Sequence, residues 1–207
     1  MKLYFIRHAQ RGHGKKQDVL TKYGVEQVQK LAKCLSGLKV DKIICSSSKR
    51  AIKTAEPIAT ALNVSIEFTN KINERSLGIF QGRPKEGKVA LQKSGLTRDE
   101  FRPEKGENAL DAYNRAKEFV EQLKKRKEKS LLIVSHSGFI SDVAIILLKK
   151  AMNENKNFKS GFCALTYFEL DNDFKVINYK INQKEFSPLR KNMFYSKSIF
   201  IFIIFLP

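Results

Sequence analysis

Cysteine, acidic residues and long apolar runs are all scarce in this sequence of 207 residues. The cysteines are three, Cys34, Cys45 and Cys163, and no two form a C-x-x-C pair. An odd count without that spacing excludes a disulfide framework and a zinc ribbon; such residues act as small hydrophobes and fit a reducing, cytoplasmic setting. Asp and Glu number 21 against 39 Lys and Arg, a net charge of +18. That field concentrates anions, whether nucleic acid, anionic lipid or a phosphorylated metabolite, without choosing among them. The apolar run Leu3–Ile6 is far too short for a signal-peptide core. The run Ile199–Leu206 is also short of the roughly 20 residues a membrane span needs. A mean hydropathy of −0.36 excludes a polytopic membrane protein. No repeat and no Gly/Ser- or Pro-rich linker interrupts the chain.

What is present is ordinary for a globular enzyme-sized chain. Hydrophobic residues make up 42% and charged residues 29%, which excludes disorder as the dominant state. At this length about 70% of the unfolded surface can be buried. Short apolar runs predict strands at Leu3–Ile6, Ile43–Cys45, Val64–Phe68, Leu131–Ser135, Ala164–Leu170 and Phe174–Ile181, the last two joined by a hairpin at Asp171-Asn172-Asp173. Helical spacing appears from Val25 to Leu35 with Thr21 as N-cap, and from Ala51 to Leu62 across Pro57. It returns over about 107–127 and from Phe139 to Leu148. Residues 78–106 gather glycines and prolines and predict an inserted cap with one helix near 86–94. The resulting expectation is a three-layer α/β/α sandwich around a mostly parallel mixed sheet with an antiparallel edge strand. The domain is expected to span 1–182, followed by a C-terminal extension over 183–207 that is either a packed terminus or a contact for a membrane surface or partner.

The histidines are three, at 8, 13 and 136. His8 follows Arg7 at the end of the first strand, and His136 ends the strand Leu131–Ser135 just before Ser137-Gly138 opens a helix. Arg50 follows the strand at Ile43–Cys45. Ligands in open α/β sheets bind outside the carboxyl ends of the strands, so these groups are candidates to converge at one rim. Free N–H groups at the Ser137 helix start suit an anion. An imidazole can attack phosphorus when neutral, neighbouring guanidinium groups favour that neutral form, and arginine's planar fork matches phosphoryl oxygens. His13 lies in the basic loop Arg11–Lys16 and is expected to be exposed. No ligand spacing such as H-E-x-x-H is present, so neither a metal nor another cofactor is expected.

At these residues the sequence resembles the histidine phosphatase superfamily, the clan of phosphoglycerate mutases and related acid phosphatases. Arg7-His8-Ala9-Gln10 is similar to its R-H-G-E/Q signature. Leu20-Thr21-x-x-Gly24-x-x-Gln27 is similar to its first-helix pattern. Ser47-Ser48-Lys49-Arg50-Ala51-x-x-Thr54-Ala55 resembles its S-x-x-R-A-x-x-T-A segment, and Asn73-Glu74-Arg75-x-x-Gly78-x-x-x-Gly82 its E-R-x-x-G-x-x-x-G segment. Gly106-Glu107-Asn108 resembles its G-E-S, and Val134-Ser135-His136-Ser137-Gly138 its V-S-H-G-G. The chain departs from the pattern at Ala9, Arg11 and Gly14. The resemblance implies a phosphoglycerate mutase-like fold and a metal-independent phosphomonoesterase. It makes His8 the nucleophile. Arg7, Arg50 and His136 would bind and stabilise the phosphoryl group, Glu74 would be the proton donor, and Gln10 and Ser137 would line the phosphate pocket.

The competing activity is a cofactor-dependent phosphoglycerate mutase, disfavoured by the short stretch between Glu74 and His136. A non-catalytic basic binding module is disfavoured because His8, Arg50, Glu74 and His136 all remain. No aromatic platform for nucleic acid accompanies the basic residues, and Lys124–Lys127 reads as the solvated end of a helix. The expected partner is a small phosphorylated substrate. A homodimer is compatible with the sequence, which does not specify an oligomeric state.

Overall fold

The computed structural model describes residues 1–13 and 18–183. The apolar run Ile199–Leu206 and the basic pair Lys15-Lys16 lie outside the described residues. Six strands form one sheet: β1 Lys2–Arg7, β2 Lys42–Ser46, β3 Ile66–Thr69, β4 Ser130–Ser135, β5 Leu165–Leu170 and β6 Val176–Gln183. Their order is β3-β2-β4-β1-β5-β6. The β3-β2, β2-β4 and β4-β1 pairs are parallel; β5 runs antiparallel to both β1 and β6. The antiparallel strand is therefore one place in from the edge, with β6 outside it.

The central strands read as unbroken apolar runs because both of their faces are buried. Along β1, Tyr4 and Ile6 point to one layer, and Leu3 and Phe5 to the other. On β4, Leu132 and Val134 alternate in the same way with Leu131 and Ile133. One layer holds α1 Lys22–Leu35 and α2 Lys49–Leu62; the other holds α4 Ala109–Lys124 and α5 Ser137–Leu147, with α3 Pro84–Ser94 elsewhere in the chain. Removing a side chain such as Phe5 or Leu131 from water contributes about 1.5–3 kcal/mol each. This is the three-layer mixed-sheet sandwich the pattern predicts.

Local chemistry sets the helix boundaries. The Thr21 side chain accepts from the Gly24 N–H at 2.9 Å and starts α1. Gly24 leaves no room for a Cβ, which would collide with the Gln10 carbonyl oxygen, so α1 packs directly on the loop after His8. α4 begins at Ala109, later than the periodicity suggests. Asn108 and Asp111 form a reciprocal capping box there, with Asn108 Oδ1 accepting from the Asp111 N–H at 2.8 Å and Asp111 Oδ2 from the Asn108 N–H at 3.0 Å. The helix expected near 86–94 is α3, which starts a little earlier because Pro84 sits at its first turn. A 3-10 segment, Met152–Phe158, packs beside α5 and was not anticipated.

Candidate active site

The parallel register brings three strand ends together. Arg7 pairs with Ser135 across β1 and β4, and Cys45 pairs with Val134 across β2 and β4. His8, His136 and Arg50 continue from those ends, and each is more than nine-tenths buried. The His8 backbone N–H donates to the Ser135 carbonyl, the Ala9 N–H to Thr54 Oγ1 at 3.0 Å, and Thr54 Oγ1 to the Arg50 carbonyl at 2.7 Å. The loop after β1 is thus tied to both neighbouring elements.

Hydrogen-bond chemistry assigns the ring protons. His8 Nδ1 lies 2.8 Å from the Ala9 carbonyl oxygen, which only accepts, so Nδ1 carries the proton. His8 Nε2 is then a bare lone pair, and it accepts from Arg50 Nε at 3.2 Å. The other end of the Arg50 fork reaches His136 Nδ1 at 3.2 Å, so that nitrogen is also unprotonated. His136 Nε2 donates to Ser46 Oγ at 2.7 Å, and Ser46 in turn donates to Asn73 Oδ1 at 2.6 Å. Burial, helped by the nearby Arg50 and Arg7 charges, pushes His8 down to about 3. Burial, then the neighbouring His8, Arg50 and Arg7, likewise holds His136 well below the ordinary imidazole range. Both rings are neutral at pH 7. Replacing Ser46 with alanine removes the nearer of two hydroxyls at His136 Nε2, leaving Ser48 Oγ at 3.3 Å, and is expected to cost about 0.5–1.5 kcal/mol of stability. Chemical denaturation compared with wild type checks this.

Arg7 points the same way. Its guanidinium stacks 3.9 Å from the centre of the Phe162 ring and donates to the Ser160 carbonyl at 2.7 Å. Its Nε is buried without a hydrogen-bond partner among the described residues. An orphaned buried guanidinium N–H calls for an acceptor, and a phosphoryl oxygen is one. Phe162 also packs on His8, with ring centres 5.6 Å apart.

Glu74 reaches the rim on an extended segment after the 3-10 turn Asn70–Ile72. That segment is held from two sides. Ser135 Oγ donates to the Ile72 carbonyl at 2.6 Å, and Arg115 Nη1 donates to the carbonyls of Lys71 and Asn73, both at 2.8 Å. Arg115 is itself fixed by two bonds to Glu107. Glu74 Oε2 accepts from the Gly138 N–H at 3.2 Å at the start of α5. A Cβ on Gly138 would collide with the Glu74 carboxylate. Gly138→Ala is therefore expected to displace Glu74 and lower kcat about tenfold on an alkyl phosphate. The loss should be smaller on p-nitrophenyl phosphate, whose leaving group needs no proton; steady-state kinetics on the two substrates measures the difference.

The remaining expected residues sit nearby with other ties. Gln10 Oε1 accepts from Thr21 Oγ1 at 2.7 Å, and Ser137 Oγ accepts from the Ser160 N–H at 3.1 Å. His13 is exposed. Sequence reasoning missed Asp18, whose carboxylate binds Arg50 Nη1 at 2.6 Å, and it missed Ser46, Asn73 and Phe162. Among the described residues no His, Cys, Asp and Glu grouping could hold a metal ion.

The family model for the histidine phosphatase superfamily (branch 1) matches residues 3–182. The chain belongs to that superfamily. It is 31% identical over 150 residues to phosphoserine phosphatase 1 of Hydrogenobacter thermophilus, covering 66% of this chain and 71% of the relative. It is also similar in structure to the alpha-ribazole phosphatase of Shigella flexneri, with a TM-score of 0.76, 21% identity, and coverage of 90% of this chain and 98% of the other. A mycobacterial glucosyl-3-phosphoglycerate phosphatase superposes with a TM-score of 0.69 at 21% identity over 88% of this chain and 97% of its own. The solved phosphatases share the mutase-like fold found here.

Proposed function

We propose that the chain is a phosphomonoesterase that hydrolyses small phosphorylated metabolites through a phosphohistidine at His8. The observation that carries this is the His8 tautomer: Nδ1 is committed to the Ala9 carbonyl and Nε2 keeps its lone pair beside Arg50. When the substrate phosphoryl group enters, the Arg50 N–H groups turn from the two imidazoles to phosphoryl oxygens, and Nε2 is freed to attack. The N–P bond forms as the ester P–O bond breaks, and protonated Glu74 gives its proton to the leaving oxygen. Water then attacks phosphorus, the N–P bond breaks, and Glu74 takes the proton back. Arg7 and Arg50 hold the equatorial oxygens throughout; once Arg50 turns away, His136 joins them as the tautomer that carries its proton on Nδ1, with Ser46 Oγ donating to Nε2, and Gln10 and the Ser137 helix start lie at the pocket edge.

The names of the relatives support hydrolysis, since phosphoserine, alpha-ribazole and glucosyl-3-phosphoglycerate phosphatases all appear among them. Residues 78–106 cap the leaving-group side of a catalytic domain ending near 182. None of the three cysteines forms a disulfide, which suits the cytoplasm, and no described helix is long and apolar enough to cross a membrane. The test is the fate of phosphate. Inorganic phosphate released from a panel of phosphorylated metabolites supports the reading; interconversion of phosphoglycerates without release overturns it.

A further inference from the structure

Among the described residues, two buried side-chain polar atoms lack a hydrogen-bond partner: Arg7 Nε and Ser160 Oγ. They belong to residues that are bonded to each other, since Arg7 Nη1 donates to the Ser160 carbonyl at 2.7 Å. Neither atom reaches solvent, so bulk water does not pair them. A buried polar group without a partner costs free energy, and native structures hold few. Two of them in one corner point to one shared ligand, and such breaches of local rules are expected at functional sites.

The corner is built around Arg7. The Ser160 N–H donates to Ser137 Oγ at 3.1 Å, and the next residue, Gly161, donates its N–H to Asn182 Oδ1 at 2.7 Å. The Cys163 N–H donates to the Arg7 carbonyl at 3.1 Å, which closes the loop 160–163 over Arg7. Phe162, in the same loop, stacks on the Arg7 guanidinium and packs on the His8 ring. Both backbone groups of Ser160 are thus committed, the residue is 2% exposed, and its hydroxyl is the one group left over. A hydroxyl can donate or accept, and the charge around it decides which. Burial lowers the Arg7 pKa; Glu74 opposes that, and the Arg11 and Arg50 charges add to it. Crowded cations favour an incoming anion, so the hydroxyl acts as a donor.

Resting on the phosphatase reading, we infer that Ser160 is a further phosphoryl-binding residue, whose hydroxyl donates, together with Arg7 Nε, to the phosphoryl group that enters beside His8. The entry that turns Arg50 from the imidazoles then brings an acceptor to both orphaned donors. A hydroxyl fixed beforehand by its backbone ties is preorganised for charge on phosphoryl oxygens. Ser160 lies outside every segment that resembles the family pattern, and no spacing in the sequence marks it.

The test is Ser160→Ala, which removes the hydroxyl and leaves the backbone ties in place. The kcat/KM for p-nitrophenyl phosphate is expected to fall about 10- to 100-fold, the range for a hydrogen bond to a charged acceptor. The inhibition constant of inorganic phosphate should rise about tenfold or more. The Tm of the unliganded enzyme should hold or rise, because the deleted hydroxyl makes no bond there, while the upward Tm shift caused by inorganic phosphate should shrink. A serine with a purely structural role gives the opposite sign in the unliganded enzyme. A lower Tm without phosphate, or an inhibition constant within twofold of wild type, overturns the role of Ser160; phosphate release by the wild-type enzyme then keeps the phosphatase reading intact. If the wild-type enzyme releases no phosphate from any ester, yet inorganic phosphate raises its Tm in a Ser160-dependent way, the binding role stands and the phosphatase reading falls. With neither release nor a shift, both fall.

Discussion

Replacing His8 with alanine is expected to lower phosphate release by about 10⁴-fold or more, the scale seen when a covalent nucleophile is removed from a unit that acts together. The argument is geometric. His8 Nε2 is the lone pair at the meeting point of the strand ends, held there by the Ala9 carbonyl behind it and Arg50 in front. His136 cannot substitute, because its Nε2 is a donor to Ser46 and its Nδ1 faces the same guanidinium from the other side. Water attacking directly would keep the charge stabilisation from Arg7 and Arg50 but lose the two-step path. Initial rates with p-nitrophenyl phosphate measure the loss. Denatured enzyme quenched during turnover should carry an acid-labile, alkali-stable phosphate, absent in His8→Ala. A loss under tenfold, or equal labelling of the variant, sinks the mechanism.

The strand ends were legible because β1 and β4 are buried on both faces, which leaves continuous apolar runs that stop where the polar site begins. Arg7, His8, His136 and Arg50 are therefore assignable to one rim from the sequence pattern. Ser46 stood at the end of such a run too. Its part depends on which nitrogen of His136 faces it, a tertiary fact that no spacing encodes. Asp18 and Phe162 arrive from loops, and neither a pattern nor a period marks them. Residues 78–106 were opaque for a related reason: α3 buries none of its residues, so it has little apolar periodicity to display.

Arg50→Gln is expected to lower kcat/KM at pH 7 by about 10³-fold, the scale of losing a preorganised donor to transition-state charge. Its guanidinium reaches His8, His136 and Asp18 at once, and no amide spans all three. The same change should be visible in the pH profile. Burial is the largest reason that His8 sits at about 3, and the Arg50 charge adds to it. Without Arg50 the His8 pKa moves up towards 6.5 but stops short, because burial remains. The acid limb of kcat/KM, which reports the free enzyme, should shift to higher pH in Arg50→Gln. Stability follows the linkage in sign. Between about 3 and 6.5 the unfolded chain binds a proton at His8 that the folded chain does not, so stability falls as pH drops through that window. Raising the folded-state pKa narrows the window from below, and the Tm of Arg50→Gln should fall less steeply between pH 6 and pH 4 than that of wild type. Arg50→Lys separates charge from geometry. It should restore the wild-type position of the acid limb through its charge, yet recover only part of the rate, since an ammonium offers no fork to hold two phosphoryl oxygens. An acid limb that stays put in Arg50→Gln would mean that Arg50 positions the phosphoryl group without setting the state of the nucleophile.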